Sequence, residues 1–208
     1  ISAVVGCEDA TKVLKTGEDV TVSCTEGEVG KVYAGILPFT VRKTNLKGLS
    51  RPKTKIMMNV GTADSAFSVS QIPNDGVGLA REEFIITESL AVHPLALLEL
   101  RKLPKDLSEK IRKLIAGYDS PSDYFVTKLA EGISMIAAAF YPKDVILRFS
   151  DFKSNEYASL LGGDRYEPEE ENPMLGWRGA SRYYDTTFQA AFGLECKAVQ
   201  KVRRDMGL

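Results

Sequence analysis

Apolar and polar positions change rhythm near residue 55, and that change divides the chain. Before it the apolar runs are short and broken by turns. Ala3–Gly6 and Val20–Cys24 read as strands, Lys31–Gly35 reads as a returning strand, and Asp9–Leu14 reads as a brief helix with an aspartate placed to cap it. These pieces are too few to bury a core of their own. Residues 40–54 follow without periodicity, rich in Lys and Arg among Asn, Gly, Ser and Pro, and read as a linker.

From Lys55 the pattern becomes that of an alternating α/β protein. Ile56–Val60 reads as a buried strand, Asp64–Ile72 as a helix and Gly76–Ala80 as a second strand. Leu95–Leu103 continues as a helical run that Pro104 breaks. Leu107, Ile111, Leu114 and Ile115 keep helical spacing up to a stop at Gly117. Ser120-Pro121 opens another helix, with its apolar stripe at Phe125, Leu129, Ile133, Ile136 and Phe140. A third strand starts at Val145, a polar stretch runs from Phe152 to Glu171, and Gly179–Arg203 reads as one long helix. Three strand–helix units predict a parallel sheet with crossovers, either a small open sheet or the first part of an eight-unit barrel. A chain end that follows the third unit directly favours the barrel.

Three arginines change this picture from architecture to chemistry. Arg81 and Arg148 each close an apolar strand, and Arg178 lies in Asn172–Gly179. Parallel sheets hold ligands at the carboxyl ends of their strands. A guanidinium there grips a phosphate or carboxylate through paired hydrogen bonds. The plainer reading is that each arginine ends its strand against a neighbouring carboxylate.

Other motifs carry less. Gly76-x-Gly78-x-x-Arg81 is a partial match to a dinucleotide fingerprint without its third glycine, so its glycines are read as room for a ligand or a packed neighbour. The acidic run Glu167–Glu171 is read as a solvated loop, and no metal site is assigned. Cys7, Cys24 and Cys196 form no Cys-x-x-Cys pair, and each is read as a small buried hydrophobe. His93, the single histidine, precedes Pro94 and reads as a surface or capping residue, so no catalytic triad is assembled.

Composition narrows the partners. A hydrophobic content of 44%, a charged content of 26% and a net charge of −1 describe an ordinary globular chain without the basic stripe of a nucleic-acid binder. No apolar run reaches the ~20 residues of a membrane helix. An odd cysteine count without a signal peptide fits a reducing cytoplasm.

Three segments together resemble a known family. Gly76–Phe84 (GVGLAREEF), Arg148–Tyr157 (RFSDFKSNEY) and Tyr166–Gly179 (YEPEEENPMLGWRG) are similar to the phosphoenolpyruvate synthases, the pyruvate, water dikinases among the PEP-utilising enzymes. The resemblance runs over essentially the whole chain. It implies that residues 1–39 are the second half of a swivelling phosphohistidine domain and that 40–54 are a linker. Residues 55–208 would be the first three units of a (β/α)8 TIM-type barrel that binds pyruvate and phosphoenolpyruvate. The implied reaction converts ATP, pyruvate and water to AMP, phosphoenolpyruvate and phosphate through a phosphohistidine, with Mg²⁺ on the pyruvate enolate.

Arg81 and Arg148 fall where the resemblance implies arginines that hold the transferred phosphoryl group, and Arg178 matches a motif arginine nearby. The phosphorylated histidine is expected before Ile1, and the Mg²⁺ ligands and proton-donating cysteine after Leu208. No catalytic residue is therefore assigned in this chain, and a chain that starts with Ile is expected to be an internal fragment, inactive alone. A three-unit sheet with a bare edge is expected to self-associate. Two other readings compete: a non-enzymatic assembly module with the same fold, and part of a pyruvate phosphate dikinase.

Overall fold

A computed structural model describes residues 3–26, 29–43, 45 and 50–208. Residues 27–28, between the two predicted strands, and a third of the linker (44 and 46–49) lie outside the described residues. The chain divides into two compact units, Ile1–Leu49 and Ser50–Leu208.

In the first unit a one-turn helix α1 (Ala10–Val13) precedes strands β1 (Val20–Ser23) and β2 (Lys31–Ala34), an antiparallel pair with Val20 opposite Ala34 and Ser23 opposite Lys31. Asp9 occupies the N-cap position of α1, but its side chain makes no capping bond and instead pairs with Lys12 at 2.7 Å. Ala3–Gly6 joins no strand. No described residue of this unit is buried, which agrees with its few and scattered apolar residues. Cys7 and Cys24 are consequently exposed, and Cys196 in the other unit is half-buried, so none is the buried hydrophobe expected.

The second unit is built on three parallel strands, β3 (Met58–Val60), β4 (Val77–Arg81) and β5 (Val145–Arg148), in the order β3-β4-β5. Helix α2 (Ala63–Ser70) connects β3 to β4. The longer connection to β5 carries α3 (Glu82–Ile85), a π-helical turn (Ile86–Leu90), α4 (Pro94–Leu98), α5 (Lys105–Leu114) and α6 (Pro121–Phe140). After β5 come α7 (Ser154–Ala158), α8 (Ala180–Tyr183) and α9 (Gln189–Arg204).

Helix α6 is the spine of the core. Its start follows from local chemistry: Pro121 needs no partner for a missing N–H, and the Ser120 hydroxyl accepts the Asp123 N–H at 3.0 Å. Phe125, Leu129, Ile133, Ile136 and Phe140 are all buried, each contributing on the order of 2 kcal/mol through removal of apolar surface from water. They pack α6 against α9 and α2.

The glycines of the partial fingerprint serve packing. Gly76 has φ +121°, and a Cβ there would strike the Asp144 carbonyl at the entrance of β5. A Cβ at Gly78 would press on Met57 at 3.2 Å.

Two further expectations are corrected. Gly179–Arg203 is not one helix, because Asp185 accepts both the backbone N–H and the hydroxyl of Thr187 (2.8 and 2.6 Å), a local turn that separates α8 from α9. The stretch from Phe152 to Glu171 is not uniformly polar either. Phe152, Ser154, Tyr157 and Leu160 are buried, with the Tyr157 ring between those of Phe152 at 4.6 Å and Phe188 at 5.4 Å.

Candidate functional site: an arginine cleft at the strand ends

Arg81 and Arg148 are register partners at the last position of adjacent parallel strands. Both therefore emerge at the carboxyl edge of the sheet. There they line a cleft of about 420 Å³ together with Arg178, Lys153, Glu83, Asp151, Glu156, Phe84, Thr87, Phe152 and Ser159. The volume suits a small metabolite. Four cationic side chains face three carboxylates.

The three arginines differ in how far they are committed. Arg178 is held by Asp151 in a fork, with Nε to Oδ1 and Nη2 to Oδ2 both at 2.9 Å, and Nη2 also donates to the Asp151 carbonyl at 3.1 Å. Arg148 donates from Nη2 to Glu83 Oε1 and lies 3.4 Å from Asp151 through Nη1. The same Glu83 oxygen accepts the Asp151 backbone N–H at 2.9 Å, so one carboxylate ties α3 to the loop after β5. Arg81 is exposed and makes no side-chain hydrogen bond or ion pair among the described residues. The plainer reading thus holds for Arg148 and Arg178 and not for Arg81. The Arg178 guanidinium beside Asp151, with a smaller contribution from Arg148, holds that carboxyl below its usual range.

The segment carrying Arg178 is anchored by Glu167 and Glu170, so these two leave the solvated loop expected of the acidic run, in which Pro168, Glu169 and Glu171 are exposed. Glu170 accepts the Trp177 N–H at 2.9 Å and the Ser154 hydroxyl, and a Cβ at Gly176 would occupy the place of its carboxylate. The Glu167 side chain is buried and grips Arg182 in a fork, Nη1 to Oε1 and Nη2 to Oε2 both at 2.7 Å. Arg182 in turn donates to the Trp177 carbonyl at 2.9 Å. Both the N–H and the C=O of Trp177, the residue before Arg178, are therefore fixed. Burial alone would raise the Glu167 carboxyl, but hydrogen bonds from His93 and Arg182 outweigh it and hold the group below its usual range.

His93 belongs to this network rather than to the surface. Its Nδ1 accepts the Leu95 N–H at 3.2 Å as the N-cap of α4, which places the proton on Nε2, 3.0 Å from Glu167 Oε1. Burial lowers its pKa, so the ring is a neutral donor. Among the described residues no three His, Cys, Asp or Glu side chains converge as a metal site would require.

Residues 40–208 match the family model described as "PEP-utilising enzyme, PEP-binding domain". The chain belongs to this family. It is 58% identical over its whole length to the phosphoenolpyruvate synthase of Pseudomonas aeruginosa and 56% identical to that of Escherichia coli. The probable phosphoenolpyruvate synthase of Staphylothermus marinus is 43% identical over all of the chain. The chain spans about a quarter of the length of these curated relatives, 26%, 26% and 24% respectively. In this member of the PEP-utilising family the strand-end placement of Arg81 and Arg148 was legible from sequence. Glu83 and Asp151, which hold Arg148 and Arg178, were not. Their signal was positional: carboxylates two residues after Arg81 and three after Arg148.

Proposed function

We propose that the cleft binds the phosphoryl group of phosphoenolpyruvate, with Arg81 and Arg148 as its ligands and Arg178 at its rim. The observation that carries this reading is the convergence of the three arginines on one cleft at the carboxyl edge of β4 and β5. Arg81 offers an uncommitted guanidinium, and Arg148 keeps an Nε–H without an acceptor among the described residues. An arriving phosphate replaces the weaker Arg148–Asp151 contact with charge-assisted hydrogen bonds. Phosphoryl transfer depends on positioning and charge neutralisation, which is what arginines in this arrangement supply.

In the wider proposal these arginines serve the conversion of ATP, pyruvate and water to AMP, phosphoenolpyruvate and phosphate through a phosphohistidine, in a cytoplasmic homo-oligomer. Residues 55–208 then form the first three units of a (β/α)8 barrel, 40–54 a linker, and 1–39 part of the swivelling domain. Mg²⁺ would orient and polarise the pyruvate enolate. The cleft's carboxylates do not suit it, because Glu83 and Asp151 are engaged by arginines and Glu156 by the side chain and backbone N–H of Lys153, so no Mg²⁺ ligand is assigned here.

Calorimetric titration of the 208-residue chain with phosphoenolpyruvate tests the site. Arg148→Ala should weaken binding at least about tenfold, since a charge-assisted hydrogen bond contributes roughly 1.5–3 kcal/mol. Equal affinity in the variant would remove Arg148 from the site and leave the assembly-module reading in its place.

A further inference from the structure

Two buried carboxyl groups outside the lining of the cleft are not used in phosphoryl binding. Glu82 follows Arg81 and is wholly buried on α3, and Glu195 is wholly buried on α9. Neither oxygen of Glu82 receives a hydrogen bond from any N–H or hydroxyl of the described residues. Within hydrogen-bonding reach of it stands the carboxyl of Glu195. Two carboxylates accept and cannot donate, so the contact requires a proton on one of them. An unpaired, unbonded carboxylate would otherwise sit in the core at a cost of several kcal/mol.

The proton belongs on Glu82, because Glu195 is already an acceptor. Glu195 Oε1 takes the Ser150 hydroxyl at 2.7 Å and Oε2 takes the Ser150 N–H at 3.2 Å. With its hydroxyl proton given to Glu195, Ser150 Oγ accepts from the Tyr157 hydroxyl at 2.8 Å, and the Ser150 carbonyl accepts from Tyr183 at 2.7 Å. Every polar atom of Ser150 is thereby fixed. Ser150 stands two residues after Arg148 and one before Asp151, the carboxylate that forks Arg178.

We propose that Glu82 and Glu195 share one proton in a buried carboxyl pair that positions the arginine cleft, an inference that rests on the phosphoenolpyruvate reading above. The pair joins the end of β4, through Glu82, to the loop after β5, through Ser150. Both are positioning residues and touch no substrate. A second proton on the pair neutralises Glu195, weakens its hold on Ser150 and loosens Asp151 and the arginines with it. The ionisable groups facing the pair are Glu83 on α3, Cys196 on α9, Tyr157 on α7, and Tyr183 on α8. The two tyrosines and the cysteine are pushed upward, first by burial, and stay neutral near pH 7.

Phosphoenolpyruvate affinity as a function of pH is the test, read by calorimetry. Burial pushes the Glu195 carboxyl up to about 7. The wild-type chain should therefore gain roughly tenfold in affinity as pH rises through about 7, the change that one unit of coupling produces. The ligand's own phosphate step, near 6, is common to all variants. Glu82→Gln replaces the O–H that Glu82 gives Glu195 with a weaker N–H donor, so the step should move to higher pH. Glu195→Gln cannot ionise and should show the ligand's step alone, with weaker binding at neutral pH. Identical profiles in all three, with binding still weakened by Arg148→Ala, would overturn the pair and spare the site. Binding that is absent, or indifferent to Arg148, would overturn the site and the positioning role with it. Infrared spectroscopy decides on the proton separately: a neutral carboxylic acid band at about pH 8, lost in Glu82→Gln, is expected. Its absence in the wild-type chain would overturn the shared proton.

Discussion

Arg182 and Arg81 are the same side chain in opposite circumstances. Arg182 is fully buried, forked by Glu167, bonded to the Trp177 carbonyl, and stacked over Trp177 at 3.9 Å and Tyr157 at 4.5 Å. Arg81 is exposed at a strand end and uncommitted among the described residues. The difference shows two uses of a cation in one fold. In the core, a guanidinium must be satisfied by carboxylate, carbonyl and aromatic faces before its desolvation is offset. In the cleft, the same group is useful because something is left over for a ligand. Arg148 and Arg178 lie between these limits, paired and still accessible.

Removing Arg182 is the most severe way to break the comparison. Arg182→Met leaves the Glu167 charge buried with His93 alone, and loss of one member of a buried ion pair costs about 3–5 kcal/mol. Urea unfolding should show that loss, whereas Arg148→Ala should shift the midpoint only slightly while it weakens ligand binding. A shift of under about 1 kcal/mol for Arg182→Met would mean that the aromatic cage, not the ion pair, organises the segment around Arg178.

This contrast also marks what the sequence could reveal. The strand-end positions of Arg81 and Arg148 were legible because a short apolar run that ends in a cation marks a buried strand reaching the edge of its sheet. Helix α6 was legible because its stripe kept helical spacing from Phe125 to Phe140. Glu167, Glu170 and Glu195 were not. All three sit in polar or mixed surroundings where a carboxylate is ordinarily solvated, and only tertiary packing brings Arg182, Trp177 and Ser150 to them. The break at Asp185 escaped for a related reason, since a side-chain turn of three residues interrupts a helical pattern without altering its apolar spacing. Helix α3 and the π-helical turn were missed because Glu82 and Glu83 mask the start of a buried run.

Glu82 sharpens the comparison from the opposite direction. Arg182 is forked by a carboxylate, whereas no cation pairs with Glu82 among the described residues and the groups acting on it are Glu195, Glu83 and Cys196. Its pKa is raised well above the ordinary value by burial, then by Glu195. A raised carboxyl favours the folded state fully below its unfolded pKa near 4.5, and that contribution is lost as pH rises towards the folded value. The wild-type chain should therefore lose stability progressively as pH rises above about 4.5. Glu82→Gln, which cannot ionise, should be flatter over this range. It should also be more stable at neutral pH by on the order of 1 kcal/mol or more, since each unit of raised pKa corresponds to about 1.4 kcal/mol. Parallel stability curves would show that Glu82 is charged in the folded chain.

The smallest effect is expected at Asp151, where pairing and availability meet. Its carboxyl is held low, first by Arg178, so its contribution is present above the ordinary value near 3.8 and is lost as pH falls through the lowered one. The pair is about a quarter exposed on both sides, which limits it to about 1 kcal/mol or less. Asp151→Asn keeps an oxygen acceptor and the backbone carbonyl for Arg178 but removes the charge that competes with a phosphate. Stability should fall slightly, and phosphoenolpyruvate should bind more tightly by up to about fivefold, the equivalent of that same 1 kcal/mol. Weaker binding would assign Asp151 the opposite role. It would then be the orienting partner without which Arg178 cannot face the ligand, and Arg178 would belong with Arg182 as a committed cation rather than with Arg81.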